Sequence, residues 1–545
     1  MGGGTQALAQ YMNDPTKVPK IKATKSSFDW SSVKLTFRPD TSIKLPPPPL
    51  NRPRIQHVFK KEQRDVEEVQ ERRREEIKRV FKKAWKNYKE RAWMADAIKP
   101  LSGEPVQQFS GWSATLVDSL DTLWILGLRD EFYEAVKAVA TIDFGNSTSN
   151  TVNMFESCIR YLGGLIAAYD LSGQEALKIK AKEIGDLLYA GFNTKNRMPV
   201  DMIPFEAAKT GLGLTVESNV VSASPGTITL EFSRLSQITG DSKYYSAVSK
   251  VMDVFYENQN KTRLPGMWPM YVSMSEPDVT AGYQFTIGGN ADSMYEYLPK
   301  AHALLGSGAL SSAKYEIMAR TFMDTAMENL FFYPMIPGKE DVMISGNVDV
   351  LETGEETGEF VPRLDPESEH LSCFIGGLYA LGGRLFENTD YVDVGGKLAR
   401  GCMYAYDSFQ TKIMPERYNM VLCPDRKKKC KWDDDLWVEE RRKRPQWKEH
   451  LPKGFTTAKD PRYILRPEAI ESVFVLWRVT GEERYREAAW QMFQAVVNAT
   501  DTVYGNAPIE DVSIKGTKQT DDNMEVSFPS RATGQQGRME ALIFR

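Results

Sequence analysis

The feature that most constrains the fold is a helical hairpin that recurs along the chain. Around Gly173, Gly240 and Gly481, a segment with an apolar stripe ends in a glycine and is followed by polar or acidic residues typical of a helix start. Helices joined by such short turns pack antiparallel, so the recurrence predicts a series of helical pairs. Because the pairs are irregularly spaced, we expect them to close into a ring of inner and outer helices rather than an open solenoid.

The hydrophobic periodicity predicts thirteen helices. The long connections at 194–225, 260–287, 332–367 and 409–464 are expected to surround one mouth of the ring, since loops of this length in a compact domain are usually functional or disordered. The run 426–450 is dominated by charge and is expected to be a solvated excursion. The predicted helices are 71–88, 113–127, 130–141, 152–171, 174–193, 226–239, 241–259, 288–306, 311–331, 368–384, 389–407, 465–479 and 482–499.

Composition excludes several classes of protein. An apolar content of 41% over 545 residues indicates a folded globular chain, and a formal net charge of −4 gives no electrostatic reason to expect nucleic acid as a partner. No window approaches the roughly 18 uninterrupted apolar residues of a membrane span, and no signal peptide or anchor is visible. Contact with a membrane is therefore expected only through an anchor outside this sequence.

The chain is expected to consist of two parts. Residues 1–65 contain a proline run at 46–49 and lack a sustained hydrophobic period, which predicts an extended and mostly disordered stalk. Residues 66–545 then form the folded domain.

Acidic residues inside apolar helical segments are the strongest indication of a functional site. Burying an unpaired carboxylate costs several kcal/mol, so each needs a partner, and any one alone is explained by an ion pair or a helix cap. Together they recur near helix starts, where a ring would bring them to one mouth. Such a set can coordinate a hard cation or supply the acid and base of a glycosidase. These segments carry Asp118, Asp121, Glu156, Glu231, Asp292, Glu296, Glu468 and Glu471, with Arg160 and Arg466 as candidate partners.

Other chemistries lack their motifs. The chain has no GxSxG elbow, no HExxH, no P-loop and no GxGxxG after a strand. Of its four histidines, only His370 lies in a distinctive segment. A role in a functional site and a structural hydrogen bond at the start of a helix explain it equally well. None of the five cysteines forms a CxxC pair. Cys373 and Cys402 lie on neighbouring predicted helices, where one disulfide can form, and Cys158 is expected in the core.

Several segments, in this order, resemble the class I α-1,2-mannosidases of glycoside hydrolase family 47, from about Arg72 to Glu525. The resemblance implies an (αα)7 barrel, a calcium ion at its base, and inverting hydrolysis of α-1,2-linked mannose from high-mannose N-glycans in the endoplasmic reticulum or Golgi. The segments are ATLVDSLDTLWILGL, FESCIRYLGGL, LEFSRLSQITGD, ADSMYEYL, HLSCFIGG, MPE, LRPEAIES and DNME.

The resemblance also assigns roles to individual residues. It places Glu156 as the general acid, with Asp292 as the competing candidate, and Glu468 as the base; Glu416 completes the catalytic set. It pairs Cys373 with Cys402 in a disulfide. The implied sugar-binding residues are Arg160, Glu231, His370, Arg466, Glu471 and Glu525.

The chain departs from the family pattern after Glu525. Family members continue into an ETLKY helix and a calcium-binding threonine, whereas residues 526–545 read differently. We therefore expect the last helix of the ring to be missing, the tail to be atypical and no metal ligand to be present, and we attribute this to an altered gene model, with a clipped N-terminus. Asn290 replaces an arginine found in members from the endoplasmic reticulum, so the preferred mannose branch is not predicted.

Two alternative functions follow from the same residues. A relative that retains the acidic ring but cannot position calcium and water would bind mannose glycans without cleaving them, in glycoprotein quality control. The other is an all-helical interaction scaffold whose acidic residues are structural.

Overall fold

The structure, a computed structural model, describes residues 19–39, 41–47, 53–306, 308, 310–353, 359–444, 450–519 and 521–524. Its α-helices are α1 (Arg64–Arg91), α2 (Ala114–Asp118), α3 (Leu120–Ile125), α4 (Arg129–Val139), α5 (Met154–Ser157), α6 (Gly163–Ser172), α7 (Glu175–Ala190), α8 (Phe205–Thr210), α9 (Ala223–Gly226), α10 (Thr229–Thr239), α11 (Lys243–Asn258), α12 (Asp292–Leu305), α13 (Leu310–Asn329), α14 (Phe374–Leu385), α15 (Thr389–Ser408), α16 (Asp434–Arg442), α17 (Glu468–Thr480) and α18 (Glu483–Thr500).

The helices form the predicted ring of paired inner and outer helices. The inner helices contact one another in chain order, from α3 through α6, α10, α12 and α14 to α17. Each is followed by its outer partner, α4, α7, α11, α13, α15 or α18, packed against it. One continuous apolar core runs through the helical layers. The predicted all-α class is thus confirmed.

Glycine turns set the hairpin geometry. Gly173, Gly240 and Gly481 end α6, α10 and α17 with φ values of 69°, 76° and 75°, in the left-handed region. Each glycine donates its backbone N–H to a carbonyl of the preceding helical turn. A residue with a Cβ is strained in this conformation, so glycine lets the outer helix start directly after the inner one.

Two of the predicted helices are interrupted. The segment predicted as 113–127 is divided into α2 and α3, and the segment predicted as 152–171 contains a π-helical turn, Cys158–Leu162, between α5 and α6. Such turns are frequent at functional sites, and this one carries Arg160. Hydrophobic periodicity does not reveal either interruption, because both halves keep their apolar faces toward the core.

Short antiparallel strands occupy the long connections. They form small sheets of two or three strands, such as β11-β10-β7 and β12-β13-β14. The strands are β1 (Ala97–Ile98), β2 (Pro105–Val106), β3 (Thr151–Asn153), β4 (Met202–Pro204), β5 (Val220–Val221), β6 (Tyr271–Val272), β7 (Gln284–Phe285), β8 (Phe331–Phe332), β9 (Ile344–Ser345), β10 (Asn347–Thr353), β11 (Glu359–Asp365), β12 (Glu367–Glu369), β13 (Arg417–Met420) and β14 (Phe455–Asp460).

The charged run at 426–450 is only partly the solvated excursion that we expected. It contains α16, in which Trp437 is buried and donates its indole N–H to the carbonyl of Phe455 at 2.9 Å. A disulfide between Cys423 and Cys430 closes the neighbouring lysine-rich loop.

The stalk expected at residues 1–65 lies partly outside the described residues. Its described part packs along the outside of the ring. Trp30 is buried and donates its indole N–H to the carbonyl of Phe144 at 2.7 Å, and further along, the N–H of His57 binds the carbonyl of Arg478 at 2.7 Å. Among the described helices, none is both long and apolar enough to cross a membrane.

The pairing of Cys373 with Cys402 joins α15 to the short 3-10 turn, Leu371–Cys373, that precedes α14. The bond closes a loop with a sequence separation of 29 residues, and both cysteines are buried. Cys158 is a buried free thiol, as expected.

Replacing both members of the Cys373–Cys402 pair with serine should lower the free energy of unfolding by about 3 kcal/mol, because the unfolded chain regains the entropy of a long loop. Denaturant unfolding under oxidising conditions measures the loss. The matched control is the double serine variant of Cys423 and Cys430, whose separation is only 7 residues and which should cost about 1 kcal/mol less. Equal losses would contradict the loop-entropy account.

Candidate active site

A cavity of about 500 Å³ opens where the inner helices begin. Its polar lining includes acidic residues in the first turns of α5, α10, α12 and α17, where the helix macrodipole favours negative charge. Seven residues predicted from the sequence line this one cavity: Glu156, Arg160, Glu231, Asp292, Glu296, Arg466 and Glu468.

Glu156 and Arg160 form one side of the cavity. Asn153 caps α5 by accepting the N–H of Glu156 at 2.8 Å, which fixes the backbone at this position. The Nε of Arg160 donates to Glu156 Oε2 at 2.7 Å, and its Nη1 lies 3.5 Å from Oδ2 of the buried Asp118. The guanidinium also lies over the ring of Phe109. Asp118 is therefore an ion-pair partner of Arg160 behind the cavity lining, which is one of the two explanations that the sequence analysis offers for a single buried acid.

Glu231 forms the next part of the wall and is held by a hydrogen bond across the cavity lining. It is buried, and the hydroxyl of Tyr297 on α12 donates to its Oε1 at 2.7 Å. One turn further along α10, Arg234 makes a bidentate contact with Asp170, with distances of 2.7 and 2.9 Å. Arg234 and Asp170 also line the cavity and were not predicted from the sequence, although the i,i+3 spacing of Glu231 and Arg234 places them on the same helical face.

Asp292 is the carboxyl of the cavity lining whose pKa is clearly raised. Desolvation of the Asp292 carboxyl by burial raises its pKa to about 7, and the nearby carboxylates of Glu296, Glu369 and Glu468 act in the same direction. The N–H of Ser293 donates to Asp292 Oδ1 at 2.8 Å and opposes the shift. One turn along, Glu296 accepts a 2.6 Å hydrogen bond from Lys300, so a cation compensates that neighbour.

Glu468 and Glu416 are positioned from behind the cavity. His370 is fully buried; its Nε2 is 2.8 Å from the hydroxyl of Tyr406, and its Nδ1 is 3.5 Å from Glu468 Oε2. Glu416 is buried, accepts the N–H of Ile464 at 3.0 Å and forms an ion pair with Arg466. Glu416 and His370 thus orient residues of the cavity rather than line it.

Glu369 is a buried carboxyl beside the cavity that was not predicted. Burial raises its pKa, and its Oε1 accepts the N–H of Gly289 at 2.8 Å. A Cβ at Gly288 would lie 1.5 Å from the same oxygen, so a glycine is required for the carboxyl to approach this loop. The sequence offered one signal, the position of Glu369 directly before His370.

The remaining predicted residues have different positions. Glu471 is half-buried in the first turn of α17 and is not part of the cavity lining. Glu525 and the tail 526–545 lie outside the described residues. Across the described part of the chain, no group of three or more His, Cys, Asp or Glu side chains is placed to hold a metal ion.

The sequence profile of glycosyl hydrolase family 47 matches residues 80–531, which include every residue of this cavity. The chain belongs to glycosyl hydrolase family 47. The predicted resemblance is thereby confirmed.

Named relatives in the family are mannosidases. The chain is 31% identical over 465 residues to human mannosyl-oligosaccharide 1,2-alpha-mannosidase IB, a match that covers 84% of this chain but 64% of the human protein. It is 30% identical over 475 residues to mannosyl-oligosaccharide alpha-1,2-mannosidase of Coccidioides posadasii, covering 84% and 83% of the two chains. The chain therefore spans less than two thirds of the length of its human relative.

A solved family 47 structure confirms the fold. The alpha-1,2-mannosidase from Trichoderma reesei superposes with a TM-score of 0.73 at 25% sequence identity, covering 87% of this chain and 93% of that one.

The raised pKa of Asp292 predicts a pH dependence of stability. Because the folded state holds the proton more tightly than the unfolded state, this carboxyl stabilises the fold at low pH. That contribution is lost as pH rises from about 4 through about 7, by up to about 1.4 kcal/mol per pH unit. Asp292→Asn should remove this dependence, so the variant gains stability relative to the wild type over this range. Urea unfolding from pH 4 to pH 8 measures the difference, and parallel curves would refute the shift.

Proposed function

We propose that this chain hydrolyses terminal α-1,2-linked mannose from high-mannose N-glycans, with residues 66–545 as the catalytic domain. The observation that carries the proposal is the cavity itself, which gathers Glu156 of α5, Asp292 of α12 and Glu468 of α17 from segments far apart in sequence. Family membership and the names of the relatives support the same substrate class.

Asp292 is the proposed general acid. Glycoside hydrolysis needs a protonated carboxyl beside the leaving oxygen, and a carboxyl with a pKa of about 7 retains its proton in much of the population at neutral pH. Glu156, the acid implied by the resemblance, instead accepts a hydrogen bond from Arg160. This contact suits a charged group that orients sugar hydroxyls together with Arg160.

Glu468 is the proposed base. It lies at the start of α17 with His370 behind it, and it would accept a proton from the water that attacks the anomeric carbon. Placing acid and base on opposite faces of the sugar leads to inversion, which requires roughly 6.5–9.5 Å between the two carboxyl groups so that the water fits.

The rest of the lining suits a pyranose. Phe109, Phe155 and Phe374 present apolar rings to the cavity, and the less polar faces of a sugar can pack against such rings. Between them, the carboxylates and guanidinium groups of Glu231, Arg234 and Arg466 offer acceptors and donors for the hydroxyls.

Calcium dependence is proposed on family grounds. Calcium prefers six to eight oxygen ligands, and the described side chains provide no cluster that would bind it directly. The steps given to Asp292 and Glu468 therefore use protein groups alone. When bound, the ion would orient sugar hydroxyls and water through their oxygens.

The proposed compartment is the secretory pathway, where N-glycans are trimmed. One human relative bears the name endoplasmic reticulum mannosyl-oligosaccharide 1,2-alpha-mannosidase and is 31% identical over 463 residues.

Glu468→Gln should lower turnover of a high-mannose glycan by a factor of about 10² to 10⁴, because the amide cannot accept the proton from water. Mannose release followed by NMR measures the rate and reports whether the β-anomer appears first. Glu276→Gln, an exposed glutamate on a connecting loop, is the matched control and should retain full activity. Unchanged turnover in Glu468→Gln would remove the base assignment. Glycan binding by the wild type without any turnover would favour the non-catalytic alternative.

Chelation provides an independent test of the metal. Turnover should fall to background in excess EGTA and return on addition of calcium but not of magnesium, whose stricter octahedral geometry suits such a site less well. Thermal unfolding measured in the same buffers separates loss of the ion from loss of the fold. Full activity in EGTA would contradict the calcium requirement and leave the assignments of Asp292 and Glu468 intact.

A further inference from the structure

A second cavity lies at the opposite end of the inner helices. It encloses about 280 Å³ and shares no residue with the first. The helix α14 contributes Phe374 to the first cavity and Arg384 to the second, ten residues and hence about 15 Å further along its axis. In the same way, α17 contributes Glu468 to the first and Thr480 to the second. The two cavities are thus separate sites joined by two rigid helices.

Three arginines from three helices point into this second cavity. Arg384 comes from the last turn of α14, Arg400 from α15 and Arg484 from the first turn of α18. Arg384 donates to the carbonyl of Val479 at 3.0 Å, and Arg400 donates to the carbonyl of Asp341 at 2.9 Å. These backbone contacts hold the guanidinium groups in place and use only part of their five donors.

The carboxylates of this cavity neutralise the three arginines only in part. Asp393 lies in the lining, but its carboxylate binds Lys397 at 2.7 Å. Glu482 binds Arg484 at 2.6 Å. Arg400 reaches the carboxylate of Asp341 only at 4.0 Å, and within the described residues no ion pair of Arg384 is found. The lining therefore carries three arginines against two carboxylates, Asp393 and Glu482.

Tyr485 provides a hydrogen-bond donor at the same place. Its side chain is only 1% exposed, and its hydroxyl oxygen accepts from Arg400 at 3.3 Å and from Arg484 at 3.4 Å. With the oxygen used as an acceptor, its hydrogen has no acceptor in the described part of the chain. Gly396 keeps the space open, since a Cβ there would lie 3.0 Å from a guanidinium nitrogen of Arg400 and 3.2 Å from the Tyr485 hydroxyl.

We propose that this second cavity binds an oxyanion, either free inorganic phosphate or the phosphoryl group of a phosphomonoester. Both are negatively charged at neutral pH and present several acceptor oxygens, which matches a lining of guanidinium groups and a tyrosine hydroxyl. The start of α18 adds to the attraction, because α18 has no side-chain cap among the described residues and its macrodipole is positive at that end. The volume of about 280 Å³ lies just below the range of pockets for drug-sized ligands, as suits a small ion or group.

Calorimetric titration with sodium phosphate at pH 7, in buffer matched to constant ionic strength with sodium chloride, tests the proposal. The wild type should bind phosphate saturably, and its melting temperature should rise with phosphate as expected for a ligand of the folded state. A parallel titration with phenyl phosphate distinguishes a group carried on a larger molecule from the free ion. Tighter binding of phenyl phosphate assigns the cavity to a phosphomonoester, and tighter binding of inorganic phosphate assigns it to the ion.

The variant Arg384→Met/Arg484→Met should weaken phosphate binding at least tenfold. Both arginines are exposed, so this variant should keep the wild-type melting temperature in chloride. The control is Arg79→Met, which removes an exposed arginine paired with Glu76 on α1 and should leave phosphate binding unchanged. General stabilisation by a kosmotropic anion would raise the melting temperature of all three proteins equally. That result, or no binding above the chloride baseline, would overturn the proposal.

Discussion

The structure depends on how a set of buried carboxyl groups is compensated where the inner helices begin. Moving a carboxylate from water into a protein interior costs several kcal/mol unless a cation or hydrogen-bond donors replace the lost hydration. In this chain, three of these acids form ion pairs: Glu156 with Arg160, Glu296 with Lys300 and Glu416 with Arg466. The first two pairs are local, since each joins residues four apart on one helical segment, whereas Glu416 and Arg466 are 50 residues apart and meet only in the folded chain.

Asp292 differs from these acids, and the difference supports its proposed role as the general acid. Its first-turn position on α12 places it close to other carboxylates, and the main opposing contact is the N–H of Ser293. Because burial and these carboxylates disfavour a second negative charge, the carboxyl of Asp292 holds its proton more tightly, and its pKa rises to about 7. Two carboxyl groups of the same cavity can in this way serve as acid and as base, because their surroundings differ rather than their side chains.

The sequence predicts the helices well and the connections poorly, for physical reasons. A helix such as α11 presents many turns of one apolar face, whereas β5 or β6 has only two residues and cannot show an alternation. The disulfide of Cys423 and Cys430 and the burial of Trp437 in α16 were also missed, because the charge around them predicts solvent exposure.

The cavity was predicted in a similarly uneven way. Acids embedded in apolar helices are visible in the sequence and the family motifs assign them roles; seven of the residues predicted in this way line one cavity. Glu369 and His370 act through contacts behind the cavity lining: Glu369 accepts the N–H of Gly289, and His370 lies 3.5 Å from Glu468. The approach of Glu369 to Gly288 joins β12 to the loop before α12, a contact between segments 81 residues apart that no local pattern encodes.

The two ends of α14 and α17 are opposite in charge, and the helix macrodipole explains much of this. Acids are favoured in first turns and cations in last turns, which fits Glu468 at the start of α17 and Arg384 in the last turn of α14. The macrodipole does not account for Arg400, which lies inside α15, or for Arg484, which lies in the first turn of α18, where a cation is disfavoured. Both turn toward the Tyr485 hydroxyl. Arg484 is paired with Glu482 at 2.6 Å, so Arg400 is the cation that neither the macrodipole nor a close carboxylate accounts for, and the proposed oxyanion would bind beside it.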